Sequence, residues 1–123
     1  VKLMQKNGRG RVIFLSTINT VLNSVGSIAY SASKKSLETL MATFANETRH
    51  EDLTFNTLAL SVVESTPMAD RLGEEAQKQK QSKMIKPAFL TTEEIMHAIE
   101  FFSSDAASNI TNQIINFGGL ENA

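Results

Sequence analysis

The 123-residue chain has no cysteine and no tryptophan, only two prolines and a single tyrosine. Without cysteine there are no disulfides, no thiolate metal ligands and no sulfur nucleophile, a composition in keeping with an intracellular protein. No charge sign is in surplus: twelve Lys and Arg stand against thirteen Asp and Glu, a formal charge of −1. A surface built to meet nucleic acid or an anionic membrane is therefore not expected. Apolar runs end after a few residues, well short of the about 18 needed to span a bilayer, and no signal-peptide pattern opens the chain. The default expectation is a soluble cytoplasmic protein with no membrane or nucleic-acid partner. Core material is plentiful: 41% of residues are hydrophobic, seven of them phenylalanine, at a length that suits one domain.

The chain opens on Val1 rather than methionine, and Val1-Lys2-Leu3-Met4 reads as the end of a helix already under way, so a piece of something longer is expected. Asn7-Gly8 stops that helix. Arg11 to Leu15 is a short, apolar, β-branched run, as in a strand buried on both faces of a parallel sheet. Ser16 and Thr17 follow it. Hydroxyls just past a buried strand stand where open α/β sheets take their ligands, and they are equally the residues of an ordinary turn. Ile18 to Ala29 lacks a helical period and reads as a loop able to lie across a substrate.

Tyr30-Ser31-Ala32-Ser33-Lys34 begins the next helix or sits in its first turns. Positions i and i+4 stack on one helical face, so the phenol of Tyr30 and the ammonium of Lys34 become neighbours. A cation beside a phenol favours its ionised form, which suits the pair to exchange a proton with a carbonyl or hydroxyl. The same spacing also arises where the ring is merely packed and the lysine solvated. Leu37, Leu40, Met41, Phe44 and Ala45 then recur at three- and four-residue steps, the pattern of core residues. Phe55 to Val63 is a second apolar run that leads from a strand into a loop, and strand–helix–strand implies a parallel pair.

Beyond Glu64-Ser65-Thr66-Pro67-Met68, residues 69–86 are rich in Gln, Lys and Glu, either a plain surface excursion or a lid over a substrate. Thr91 and Glu94 have capping-box spacing, which predicts a helix with Ile95, Ala98, Ile99 and Phe102 inward. Gln113 to Phe117 is a last short strand, stopped by Gly118-Gly119. His50 and His97 read as surface residues, and no metal-ligand spacing is present.

In this order the segments resemble the second half of the short-chain dehydrogenase/reductase family. Gly10-Arg11-Val12-Ile13-Phe14-Leu15-Ser16-Thr17 is similar to the family's strand ending in hydroxyls, and Tyr30-Ser31-Ala32-Ser33-Lys34 to its tyrosine–lysine signature. Asn56-Thr57-Leu58-Ala59, Glu64-Ser65-Thr66-Pro67-Met68 and the stretch from Phe102 to Thr111 resemble the segments that follow. Within the family the likeness is to the 3-oxoacyl-[acyl-carrier-protein] reductases.

The resemblance implies an α/β fold, the C-terminal half of a Rossmann-like doubly wound parallel sheet with about three strands and their helices. Residues 1–123 would be its catalytic and substrate half, with 69–86 as the substrate loop. It implies an NAD- or NADP-dependent reduction of a carbonyl substrate, carrier-linked in the nearest relatives, and a homo-oligomer paired through the tyrosine helix. Tyr30 would be the acid/base, and Lys34 would support it and bind the nicotinamide ribose. The hydroxyl thirteen residues before the tyrosine, here Thr17, would orient the carbonyl, with Ser16 as the alternative. Val63 and Ser65 or Thr66 would meet the nicotinamide carboxamide.

The chain departs from the family pattern at Leu60-Ser61, where Pro-Gly is usual, and at Asn112, where glycine is usual. The glycine-rich pyrophosphate turn and the residues that select NAD or NADP are absent from it, so the chain alone is expected to bind cofactor weakly. A non-catalytic truncated relative, serving as an assembly module, is the alternative.

Overall fold

The computed structural model describes residues 1–121. Helix α1 (Lys2–Asn7) ends at Gly8, whose φ of 73° turns the chain left-handed and lets the Gly8 and Arg9 N–H groups cap the carbonyls of Gln5 and Met4. Strand β1 (Gly10–Thr17), strand β2 (Leu53–Leu60) and strand β3 (Gln113–Asn116) form one parallel sheet in the order β1-β2-β3. Gly10 pairs with Leu53 and Thr17 with Leu60, while Asn56 to Ala59 pair with Gln113 to Asn116. Ser16 and Thr17 are thus the last two residues of the strand rather than a turn beyond it.

Central β2 is almost wholly buried, but β1 is half-buried and Leu15 is 40% exposed. Both strands are covered on both faces as expected, and the half-exposure of β1 comes from its place at an edge of the sheet among the described residues. Side chains alternate across the sheet. Val12, Phe14, Leu53 and Phe55 meet Met41, Phe44 and Ala45 of helix α3 (Ile28–Glu47) on one face. Ile13, Leu58 and Leu60 meet Ala98, Ile99 and Phe102 of helix α6 (Thr92–Ser103) on the other.

The apolar stripe on α3 is only partly a core stripe: Leu37 and Leu40 are 42% and 47% exposed, and Glu38 is buried at 4% instead. Met41, Phe44 and Ala45 face the sheet as expected, and Glu38 rather than Leu37 or Leu40 continues the buried row. Between β1 and α3 the expected loop contains a one-turn helix, α2 (Asn19–Leu22), and buries Ile18. Between β2 and α6 lie α4 (Pro67–Arg71) and α5 (Glu74–Gln81), held at their far end by buried Met84 against Ile18, Ala59 and Leu120. The capping box is formed: the Thr91 hydroxyl accepts from the Glu94 N–H at 3.1 Å and the Glu94 carboxylate from the Thr91 N–H at 2.8 Å.

Candidate active site

Because strand side chains alternate, Ser16 and Thr17 leave the end of β1 in different directions. Ser16 turns toward α3 and its hydroxyl donates to Glu38 Oε1 at 2.6 Å. The same carboxylate oxygen lies 2.9 Å from the Thr20 hydroxyl, which also reaches the Thr17 carbonyl at 3.0 Å, and Lys35 Nζ lies 3.1 Å from the second oxygen. Thr17 Oγ1 accepts from the Asn19 N–H at 3.2 Å. That contact takes a lone pair and leaves the hydroxyl proton of Thr17 without an acceptor among the described residues, whereas the proton of Ser16 is used.

Helix α3 starts at Ile28, so Tyr30 sits in its first turn and Lys34 one turn further on the same face. The tyrosine is 38% exposed, and its hydroxyl makes no hydrogen bond among the described residues. Lys34 Nζ donates to the Leu15 carbonyl at 2.9 Å and stands 5.0 Å from the centre of the Phe14 ring, tying the helix to the end of β1. An ammonium has three donors, and this contact uses one.

Tyr30, Lys34, Ser16 and Thr17 border one cleft of about 730 Å³ at the C-terminal end of the sheet. Its other walls are mainly apolar, from Leu60 at the end of β2, Val62 and Val63 just beyond it, and Met68 and Leu72 of the 69–86 region and its approach. Thr66 also borders the cleft and caps α4, its hydroxyl accepting from the Ala69 N–H at 3.2 Å and donating to the Val63 carbonyl at 2.8 Å. Ser65, the other candidate, is exposed at φ 54° and is not part of the lining. A parallel bridge joins Val63 to Leu90 through the Val62 carbonyl and the Glu64 N–H, so the Val63 N–H stays outside it.

Three features of the site escaped the sequence reading. Glu38 stands one turn beyond Lys34 on the same helical face, so the i, i+4, i+8 series Tyr30–Lys34–Glu38 was its available signal. Arg71 and Lys80 also border the cleft, and burial pulls the Lys80 ammonium below its ordinary value. Nothing in the composition of residues 69–86 distinguishes Lys80 from its neighbouring lysines. Among the described residues no three His, Asp or Glu side chains gather where a metal ion would sit, and no helix is long and apolar enough to cross a membrane.

Comparison with known proteins agrees with this layout. A family model described as enoyl-(acyl carrier protein) reductase matches residues 1–119. The 3-oxoacyl-[acyl-carrier-protein] reductases of Rickettsia conorii and Thermotoga maritima are 32% and 29% identical over 119 residues, 97% of this chain but 49% and 48% of theirs. A tropinone reductase homolog of Arabidopsis thaliana is 36% identical over 115 residues, 42% of its own length. The chain thus spans about half the length of the curated relatives it matches. A short-chain type dehydrogenase/reductase from Mycobacterium ulcerans shares the fold over 94% of this chain and 42% of its own, with a TM-score of 0.85 at 23% identity. With the family match running through the strand, the tyrosine helix and the last strand alike, the chain belongs to the short-chain dehydrogenase/reductase family.

Proposed function

We propose that the full protein transfers hydride reversibly between NAD or NADP and a small-molecule carbonyl or alcohol, with Tyr30 as the acid and base. One placement carries this reading: Tyr30, Lys34 and Thr17 all border the cleft that Val62, Val63 and Thr66 also border. The donor set fits a nicotinamide. The Val63 N–H outside the bridge suits a carboxamide oxygen, with Ser65 and Thr66 at the turn beside it, and the apolar side chains of Leu60 and Val62 suit a ring face. When bound, the nicotinamide supplies or accepts the hydride.

The residues of this chain handle the proton and the alignment. Tyr30, whose hydroxyl has no hydrogen-bond partner among the described residues, donates a proton to the carbonyl oxygen in reduction and takes it back in oxidation. Lys34 keeps two donors beyond its bond to Leu15, which suits it to hold ribose hydroxyls. Thr17 offers the unused hydroxyl proton to the substrate oxygen, and Ser16, engaged with Glu38, braces the turn. Residues 69–86 close the outer side of the cleft as a lid.

The test is Tyr30→Phe in the full protein. NAD(P)H-dependent ketone reduction is expected to disappear while the circular dichroism spectrum and urea midpoint stay unchanged. Retained turnover would remove Tyr30 from the role, and a full protein that oxidises no cofactor with any ketone would favour the non-catalytic assembly module.

A further inference from the structure

The charge around the site is segregated in a way the whole chain is not. A second cleft, of about 340 Å³, adjoins the first and shares Asn19, Leu72 and Lys80 with it. Lys34, Arg71 and Lys80 border the first, Lys80 and Lys83 the second, and neither is bordered by an Asp or Glu. The two clefts therefore take four of the twelve cationic side chains and none of the thirteen acidic ones. Their linings differ as well: the first is mostly apolar, the second rich in amides and hydroxyls.

Among the described residues no ion pair involves Arg71, Lys80 or Lys83. An ammonium partly withdrawn from water without a counter-ion is unfavourable, and the lowered pKa of Lys80 is that cost expressed in proton affinity. An anion placed there would relieve it.

From this segregation, and resting on the hydride-transfer reading above, we infer that the substrate is bipartite. Its carbonyl lies in an apolar portion held in the first cleft, and an anionic oxygen group, a carboxylate or a phosphate ester, sits in the second against Lys80 and Lys83. Cofactor phosphates offer the same chemistry, but Val62, Val63 and Thr66, the wall assigned to the nicotinamide, do not border the second cleft. That cleft is built only from residues 19–27 and 72–83.

The experiment is calorimetric binding to the full protein of 6-oxoheptanoate, its neutral methyl ester and 5-oxohexyl phosphate, so that it reads without turnover. The anions are expected to bind at least about tenfold more tightly than the ester, the scale of one charge-assisted hydrogen bond. Lys80→Gln/Lys83→Gln should bring that ratio close to one, and Lys80→Arg/Lys83→Arg should keep it, with folding of each variant checked by circular dichroism. Equal binding of acid and ester, or a preference that survives the glutamine pair, overturns the inference. So does a glutamine pair that weakens NADH or NADPH binding and leaves the anion preference alone. Anion preference without any ketone reduction would sink the hydride-transfer reading only. Ketone reduction without anion preference would sink the anion site only.

Discussion

Glu38 decides what the two hydroxyls at the end of β1 do. A carboxylate 4% exposed is unfavourable unless its oxygens are partnered, and here Ser16, Thr20 and Lys35 supply the donors. Ser16 thereby becomes a brace between strand and helix. The Thr17 hydroxyl proton, which has no acceptor among the described residues, is the one that the proposed mechanism offers to a substrate oxygen. In the full protein, Ser16→Ala should retain most turnover, whereas Thr17→Val should lose about a hundredfold in kcat, the scale of one removed oxyanion donor. Glu38→Leu, which orphans the Ser16 hydroxyl, should cost about 1–3 kcal/mol in a urea titration. Equal kinetic losses in the Ser16 and Thr17 variants would show that the two hydroxyls do not divide the roles in this way.

The sequence shows both hydroxyls, and the thirteen-residue spacing to Tyr30 favours Thr17 with Ser16 as the alternative. What it does not show is the partner of Ser16, an acid twenty-two residues away whose burial the apolar stripe of α3 conceals.

At the scale of elements, the pieces governed by local rules were the legible ones. Asn7-Gly8 ends α1, Thr91 and Glu94 form their capping box, and Tyr30 falls in the first turn of its helix. Where glycine is usual, Asn112 adopts φ 57°, a conformation asparagine tolerates better than most residues. The family departure is thus absorbed by a side chain suited to that conformation. Features set by tertiary contacts were illegible: the exposure of Leu37 and Leu40 on α3, the one-turn helix α2, and the half-exposure of β1.

The 69–86 region also owes its position to distant backbone. Gly118 and Gly119 accept from the N–H groups of Lys86 and Ile85 at 2.8 and 3.2 Å, pinning the end of that region to the end of β3. Gly118 has φ 81°, and a Cβ there would stand 2.9 Å from the Lys86 carbonyl oxygen and run into the methyl of Met84. Gly118→Ala should therefore destabilise the fold by about 1–3 kcal/mol and speed proteolysis within residues 69–86. Unchanged cleavage there would mean that the region is held by other contacts.

At the scale of the whole molecule, a nearly neutral chain sets four of its twelve cations, and no Asp or Glu, along two clefts at the C-terminal end of a parallel sheet. The Tyr30 cleft, one of the two, opens there as ligand sites do in open α/β sheets. The opposite end of the sheet holds two ion pairs, Arg9 with Asp105 at 2.9 Å and Arg11 with Asp52 at 2.8 Å. The chain spans about half of its curated relatives' length, and among the described residues β1 is an edge strand with Leu15 exposed.

The central claim, that Tyr30, Lys34 and Thr17 serve hydride transfer to a carbonyl, is tested most directly by isotope tracing. The full protein would be supplied with nicotinamide cofactor deuterated at the hydride-donating carbon together with a ketone, and the alcohol analysed by mass spectrometry. Deuterium at the carbinol carbon with the unaltered protein, and none above background with Tyr30→Phe, is the predicted result. An alcohol without deuterium, or equal labelling by the Tyr30→Phe variant, would contradict the account.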